Sequence, residues 1–155
     1  MPVRILFVCH GNICRSAMAE YVMKDMLRKR GLADRFYVES AATSTEELGN
    51  PVYPPARRLL AARGIECSGH RARTITHADY GRFDLLIGMD ERNIRNMKRV
   101  FGGDPEGKIH LLSEYAHFDG EVEDPWFTGR FERVYEQIVD GVEGILHVLQ
   151  ILLRG

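Results

Sequence analysis

Ile5-Leu6-Phe7-Val8 is a continuous apolar run, partly β-branched, that stops at Cys9 and a glycine-containing turn. A strand with no polar face must be covered on both sides, which puts it inside a parallel sheet rather than at a wet surface. From Ser16 the period changes: Met18, Tyr21, Val22, Met26 and Leu27 are spaced for one helical face, and Gly31 stands where that helix would stop. The opening unit is strand, tight loop, helix.

The alternation continues along the chain. It predicts a strand near Phe36 to Ser40, a helix from about Pro55 to Arg63 halted by Gly64, a strand over Asp84 to Met89, a helix from Glu91 and a short strand near Ile109 to Leu112. After a long loop, Phe131, Val134, Tyr135, Ile138, Val142, Ile145, Leu149 and Leu152 mark a final amphipathic helix. Strands separated by helical segments imply an α/β fold with a parallel sheet covered on both faces. With 155 residues and no repeat or composition break, one domain over 1–155 is expected. The stretch from Ala42 to Pro55, rich in Ser, Thr, Gly and Pro, reads as a loop rimming a site.

Hydrophobic residues at 45%, charged residues at 28% and a net charge of -1 provide no global field for nucleic acid or a membrane surface. Three cysteines are an odd number without the dense spacing of a disulfide scaffold, which favours a reducing compartment, and the cytoplasm is the expectation. The apolar run at Ile5 to Val8 is too short for a signal-peptide core or a membrane span.

Between the first strand and first helix lies Cys9-His10-Gly11-Asn12-Ile13-Cys14-Arg15-Ser16. Open α/β sheets bind ligands at that point, where backbone N–H groups and a helix N-terminus converge on an anion. Cys9 would sit under the anion, with the amides, Arg15 and the Ser16 hydroxyl all stabilising a thiolate nucleophile. Arg15 can fold back to hold two phosphate oxygens at once, a geometry a lysine cannot copy. A lone cysteine is more often a small buried filler, but this one comes with Gly11, Asn12, Arg15 and Ser16 at fixed spacing.

Cys-x5-Arg-Ser near the N-terminus, as CHGNICRS followed by Ala17-Met18-Ala19-Glu20, resembles the low-molecular-weight protein tyrosine phosphatases. The likeness continues in Glu39-Ser40-Ala41-Ala42-Thr43-Ser44, Gly49-Asn50-Pro51, His70-Arg71-Ala72-Arg73, Phe83-Asp84, Met89-Asp90-Glu91 and Glu123-Asp124-Pro125-Trp126. It implies a single three-layer domain, a four-stranded parallel sheet in the order 2-1-3-4, and hydrolysis of phosphotyrosine in protein substrates through a phosphorylated Cys9. Arg15 would clamp the phosphate together with His10, Gly11, Asn12, Ile13, Cys14 and Ser16. Asp124, on a turn stiffened by Pro125, would protonate the leaving group and then activate water. The other Asp-Pro pair, Asp104-Pro105, reads as a turn.

Trp126 would form an aromatic wall for the substrate ring; Phe127 fits either a wall or ordinary core. Asn12, Ser40 and His70 would hold the loop's backbone. His10 would contribute its backbone more than its ring, and His110, His117 and His147 read as surface or structural residues. Cys14 could pair reversibly with Cys9 or simply fill space behind the loop. No cofactor or metal is implied, no nucleic acid or membrane partner, and a monomer or weak dimer is expected.

The pattern departs from the family at the tip of the rim loop, where many members carry an aromatic residue and this chain has Thr45-Glu46-Glu47. An acidic wall at Glu46 and Glu47 would favour basic flanking residues. Ile13 favours phosphotyrosine over phosphoarginine, because arginine phosphatases of this fold tend to carry Thr there. An arsenate reductase would need a further cysteine pair downstream, where only Cys67 is present. A phosphocysteine carrier would not need Arg15 with a distant acid, and Cys9, Cys14, His10 and Cys67 match no common zinc spacing.

Overall fold

The computed structural model describes residues 1–154. Strand β1 spans Val3–Cys9, helix α1 Arg15–Lys29, β2 Phe36–Ala42, α2 Pro54–Ala62, α3 Asp79–Arg82, β3 Leu85–Gly88, α4 Glu91–Phe101, β4 Ile109–Leu111, α5 Pro125–Thr128 and α6 Phe131–Arg154. The four strands form one parallel sheet in the order β2-β1-β3-β4. This is a single α/β domain with the expected sheet order.

β1 is central and its side chains alternate between two buried layers. Ile5, Phe7 and Cys9 face a core built with α1, α2 and α6, including Met18, Met23, Leu60, Ile138 and Ile145. Leu6 and Val8 face the other core with Phe83, Ile94, Met97 and Phe101. That two-sided demand is why the run carries no polar residue. No described helix is long and apolar enough to cross a membrane.

The extent of β2 and two short helices differ from the sequence expectation for physical reasons. β2 continues past Ser40 to Ala42, because Cys9 pairs with Ala42 and the Ala42 amide donates to the Arg73 carbonyl at 2.7 Å. The one-turn helix α5 lies in the stretch expected as a long loop, and α3 lies in a stretch given no element; four residues are too few to display a helical period. Helix α6 packs closely over the 3-10 turn Leu112–Tyr115, where a Cβ on Gly144 would overlap the Tyr115 carbonyl oxygen.

Because the sheet is parallel, its C-terminal ends share one edge. Cys9, the rim loop after Ala42 and Asp90 after β3 all leave the sheet there.

Candidate active site

A cleft of about 480 Å³ opens at that edge. Cys9, His10, Gly11, Ile13, Cys14 and Arg15 form its floor, with Glu46, Glu47, Asp90, Arg92, Asn93, Asp124, Trp126 and Phe127 around it.

The Cys9 sulfur faces donors. The amides of Asn12 and Ser16 point at Sγ from 3.3 and 3.4 Å, and the Ser16 hydroxyl lies 2.9 Å away. Asn12 Nδ2 donates to Ser16 Oγ at 2.8 Å, which leaves the hydroxyl hydrogen free to point at sulfur. Three donors thus converge on the sulfur.

Asn12 makes the loop possible. Its φ of 61° is the only left-handed value among the described non-glycine residues, a conformation asparagine tolerates better than most. The side chain also donates to Ser40 Oγ at 2.8 Å and accepts from the Arg73 amide at 3.2 Å. The Asn12 carbonyl takes a 2.7 Å bond from His70 Nε2. Ser40 passes its own hydrogen to Glu20, which Lys24 neutralises. A chain of hydrogen bonds therefore links Glu20 through Ser40, Asn12 and Ser16 to the sulfur. Glu20 was not expected in this chain; its spacing fits any buried face of α1.

Arg15 is 3% exposed, so its orientation must be dictated by partners. Nη1 donates to Asp90 Oδ2 at 2.8 Å and to the Val122 carbonyl at 3.1 Å, while Nη2 lies 3.6 Å from Asp124 Oδ2. Burial works against its charge, but Cys9 and the carboxylates of Asp90 and Asp124 outweigh burial and raise its pKa. Asp90 uses its other oxygen to cap α4, accepting from the Asn93 amide at 2.8 Å. Sequence reasoning assigned Asp90 no role; its partner lies 75 positions away.

Asp124 caps α5 through Oδ1, which accepts from the Trp126 amide at 3.1 Å. Trp126 and Phe127 line the cleft, and Phe127 is 83% exposed, so its reading as ordinary core does not hold. On the rim, the His10 ring engages Glu46 at 2.9 Å, whereas its backbone was expected to matter more than its ring. The backbone serves too: the His10 carbonyl accepts from the Ser44 amide and hydroxyl. Glu47 lies in the cleft wall beside it.

All three cysteines are free thiols. Burial pushes the Cys14 thiol far above the ordinary range, with Cys9 and Asp124 adding to the effect. Cys67 is buried in the core and also raised, chiefly by desolvation. His110 pairs with Glu114 and His117 with Asp140 at the surface, and His147 is exposed, all outside the cleft. Among the described residues no three His, Cys, Asp or Glu side chains converge to hold a metal ion. A sulfur under converging amides, beside a fixed guanidinium and a carboxyl, can carry out in-line displacement at a tetrahedral anion.

Residues 4–152 match the family described as low molecular weight phosphotyrosine protein phosphatase. The chain is 35% identical over 150 residues to the low molecular weight protein-tyrosine-phosphatase YfkJ of Bacillus subtilis, covering 96% of each. It is 39% identical over 140 residues to the human low molecular weight phosphotyrosine protein phosphatase, covering 87% of this chain and 88% of that one. The YfkJ crystal structure superposes with a TM-score of 0.93 over 97% of this chain and 96% of that one. A Drosophila arginine phosphatase, 34% identical, superposes with a TM-score of 0.84 over 94% of this chain and 96% of that one.

Proposed function

The chain belongs to the low molecular weight phosphotyrosine protein phosphatase family, and from that premise we propose that it hydrolyses phosphotyrosine in protein substrates through a cysteinyl-phosphate on Cys9. The observation that carries this reading is the Cys9 sulfur held under two amides and a hydroxyl, with the Arg15 guanidinium fixed by Asp90.

Phosphate oxygens take the loop amides and the Arg15 guanidinium, and the sulfur attacks phosphorus opposite the phenolic oxygen. As the S–P bond forms and the P–O bond breaks, Asp124 gives its proton to the departing oxygen. The Asp124 carboxylate then takes a proton from water, whose oxygen attacks phosphorus. The P–S bond breaks, its electron pair returns to sulfur, and orthophosphate leaves. Negative charge on the equatorial oxygens grows toward donors already in place, so little reorganisation is required.

Cys9→Ser is expected to abolish turnover while inorganic phosphate still binds. Asp124→Asn should slow poor leaving groups far more than good ones; equal slowing across a leaving-group series would remove Asp124 from the acid role. Because amides and Arg15 carry the charge, chelators should leave the rate unchanged, and a strict requirement for added magnesium or zinc would contradict the scheme.

A second substrate, phosphoarginine, is favoured by two observations: Glu46 and Glu47 in the cleft wall suit a guanidinium, and the Drosophila neighbour is an arginine phosphatase by name. Against it stands the branched Ile13 side chain in the cleft floor. Rates on matched phosphotyrosine and phosphoarginine peptides decide, with phosphotyrosine expected to be faster. The odd cysteine count fits a cytoplasmic protein, and a monomer or weak dimer acting on phosphoproteins is the state we propose.

A further inference from the structure

The loop carrying Asp124 has little reason of its own to stay in place. Helix α5 is four residues long, too short to be stable alone. Besides Arg15, which bonds the Val122 carbonyl and lies beside Asp124, three ties hold the segment. The Val122 amide donates to the Met89 carbonyl at 2.9 Å. Glu123 pairs with Arg130 and Arg133, whose side chains are about 60% exposed, so these pairs hold weakly. The third tie is Trp126, whose indole packs on the Tyr53 ring with centroids 4.6 Å apart at an interplanar angle of 48°.

Tyr53 is well placed to transmit position. Its amide donates to the Ile13 carbonyl at 2.9 Å, and its ring packs against the cluster of Ile13, Cys14 and Ala72. The other side of its packing is Phe131 at the start of α6, with centroids 6.0 Å apart and planes 27° from parallel. One side chain thus touches the phosphate-binding loop, the acid's loop and the last helix. The Trp126 amide in turn donates to Asp124 Oδ1.

We propose that Tyr53 is a positioning residue for Asp124: through Trp126 it sets the acid's place relative to the Cys9 loop. The inference rests on Asp124 being the general acid. The ring's face matters and its hydroxyl does not, since no hydrogen bond to the Tyr53 hydroxyl is present among the described residues. A misplaced acid costs most where the leaving group most needs a proton.

Trp126 is the only tryptophan, so emission excited outside the tyrosine band reports the surroundings of this one side chain. Tyr53→Ala, Tyr53→Leu and Tyr53→Phe would be compared on phenyl phosphate and on an aryl phosphate with a strongly acidic phenol, using kcat/KM. The Ala and Leu variants are expected to lose about 3- to 10-fold on phenyl phosphate, the size of one aromatic contact, and under about 2-fold on the activated ester. Their Trp126 emission should shift to the red and become easier to quench. Inhibition by inorganic phosphate should be unchanged, showing an intact Cys9 loop, and Tyr53→Phe should restore both readouts.

Leu keeps the packing against Ile13, so a folded comparison survives if the Ala variant does not fold. An unchanged leaving-group ratio in the Leu variant overturns the proposal, with or without an emission shift. Asp124→Asn, run alongside, separates the two ideas. If that variant discriminates steeply between the esters while the Tyr53 variants do not, only the positioning role fails; if it does not discriminate, the acid assignment fails and the positioning role with it.

Discussion

Asp90 and Asp124 both approach Arg15, but the geometry gives them different work. Asp90 makes a 2.8 Å hydrogen bond and spends its second oxygen on the α4 amide, so it is held from two directions. Asp124 lies 3.6 Å from the guanidinium and is 27% exposed, which leaves it open to a substrate's leaving oxygen. Asp90→Ala is therefore expected to lower kcat/KM by about 100-fold by freeing the guanidinium. It should also cost about 1 kcal/mol of stability through the lost cap. Asp90→Asn keeps a good cap, so its activity should fall while its thermal midpoint stays near wild type. Steady-state kinetics with a melting curve separates the two effects.

At the level of elements, the described ion pairs are unequal. Asp79 is fully buried at the head of α3 and takes bonds from Arg73 at 3.0 Å, Arg82 at 3.0 Å and the Thr76 amide at 2.8 Å. Burial would raise its pKa, but Arg73, Thr76 and Arg82 together hold it below the usual carboxylate value. Arg73 also reaches Glu39 on β2, so the group ties an edge strand to the segment that follows α2. Asp79→Ala should destabilise by about 3 kcal/mol, discounted from a fully buried pair because both arginines are partly exposed. On α6, Gly144→Ala would drive a methyl into the Tyr115 carbonyl and should cost about 3 kcal/mol or more, measurable by urea unfolding.

What the sequence disclosed follows the same division. α1, α4 and α6 were legible because burying one face of a helix imposes a repeat, and β1 because burial on both faces removes polar residues. Cys9, Arg15 and Ser16 were legible because one loop carries them together. Asp90, Glu20 and Tyr53 were not, since each acts on a partner far along the chain and looks locally like a cap, a helical carboxylate or a residue before Pro54. α5 was invisible because its location depends on contacts rather than on its own four residues.

For the whole molecule, the acid limb of stability has a definite sign. Asp79, Asp104 and Asp140 all sit below their ordinary pKa in the folded state. Their contribution is complete above the unfolded value, near pH 4, and is lost as pH falls through the lower folded values. Urea midpoints should hold level from neutrality to about pH 5 and drop below pH 4. Asp79→Asn should flatten that drop, and a midpoint falling equally steeply in the variant would show that the pair does not govern it.

The Val122 carbonyl that receives Arg15 lies 107 residues after it, and Asp90 lies 75 after it. Cys9 and Arg15 are therefore synthesised long before the groups that anchor the guanidinium. β1 also waits for β3 on one side and for α6 above it. A nascent chain that has not yet reached Val122 therefore lacks part of the anchor that fixes its guanidinium.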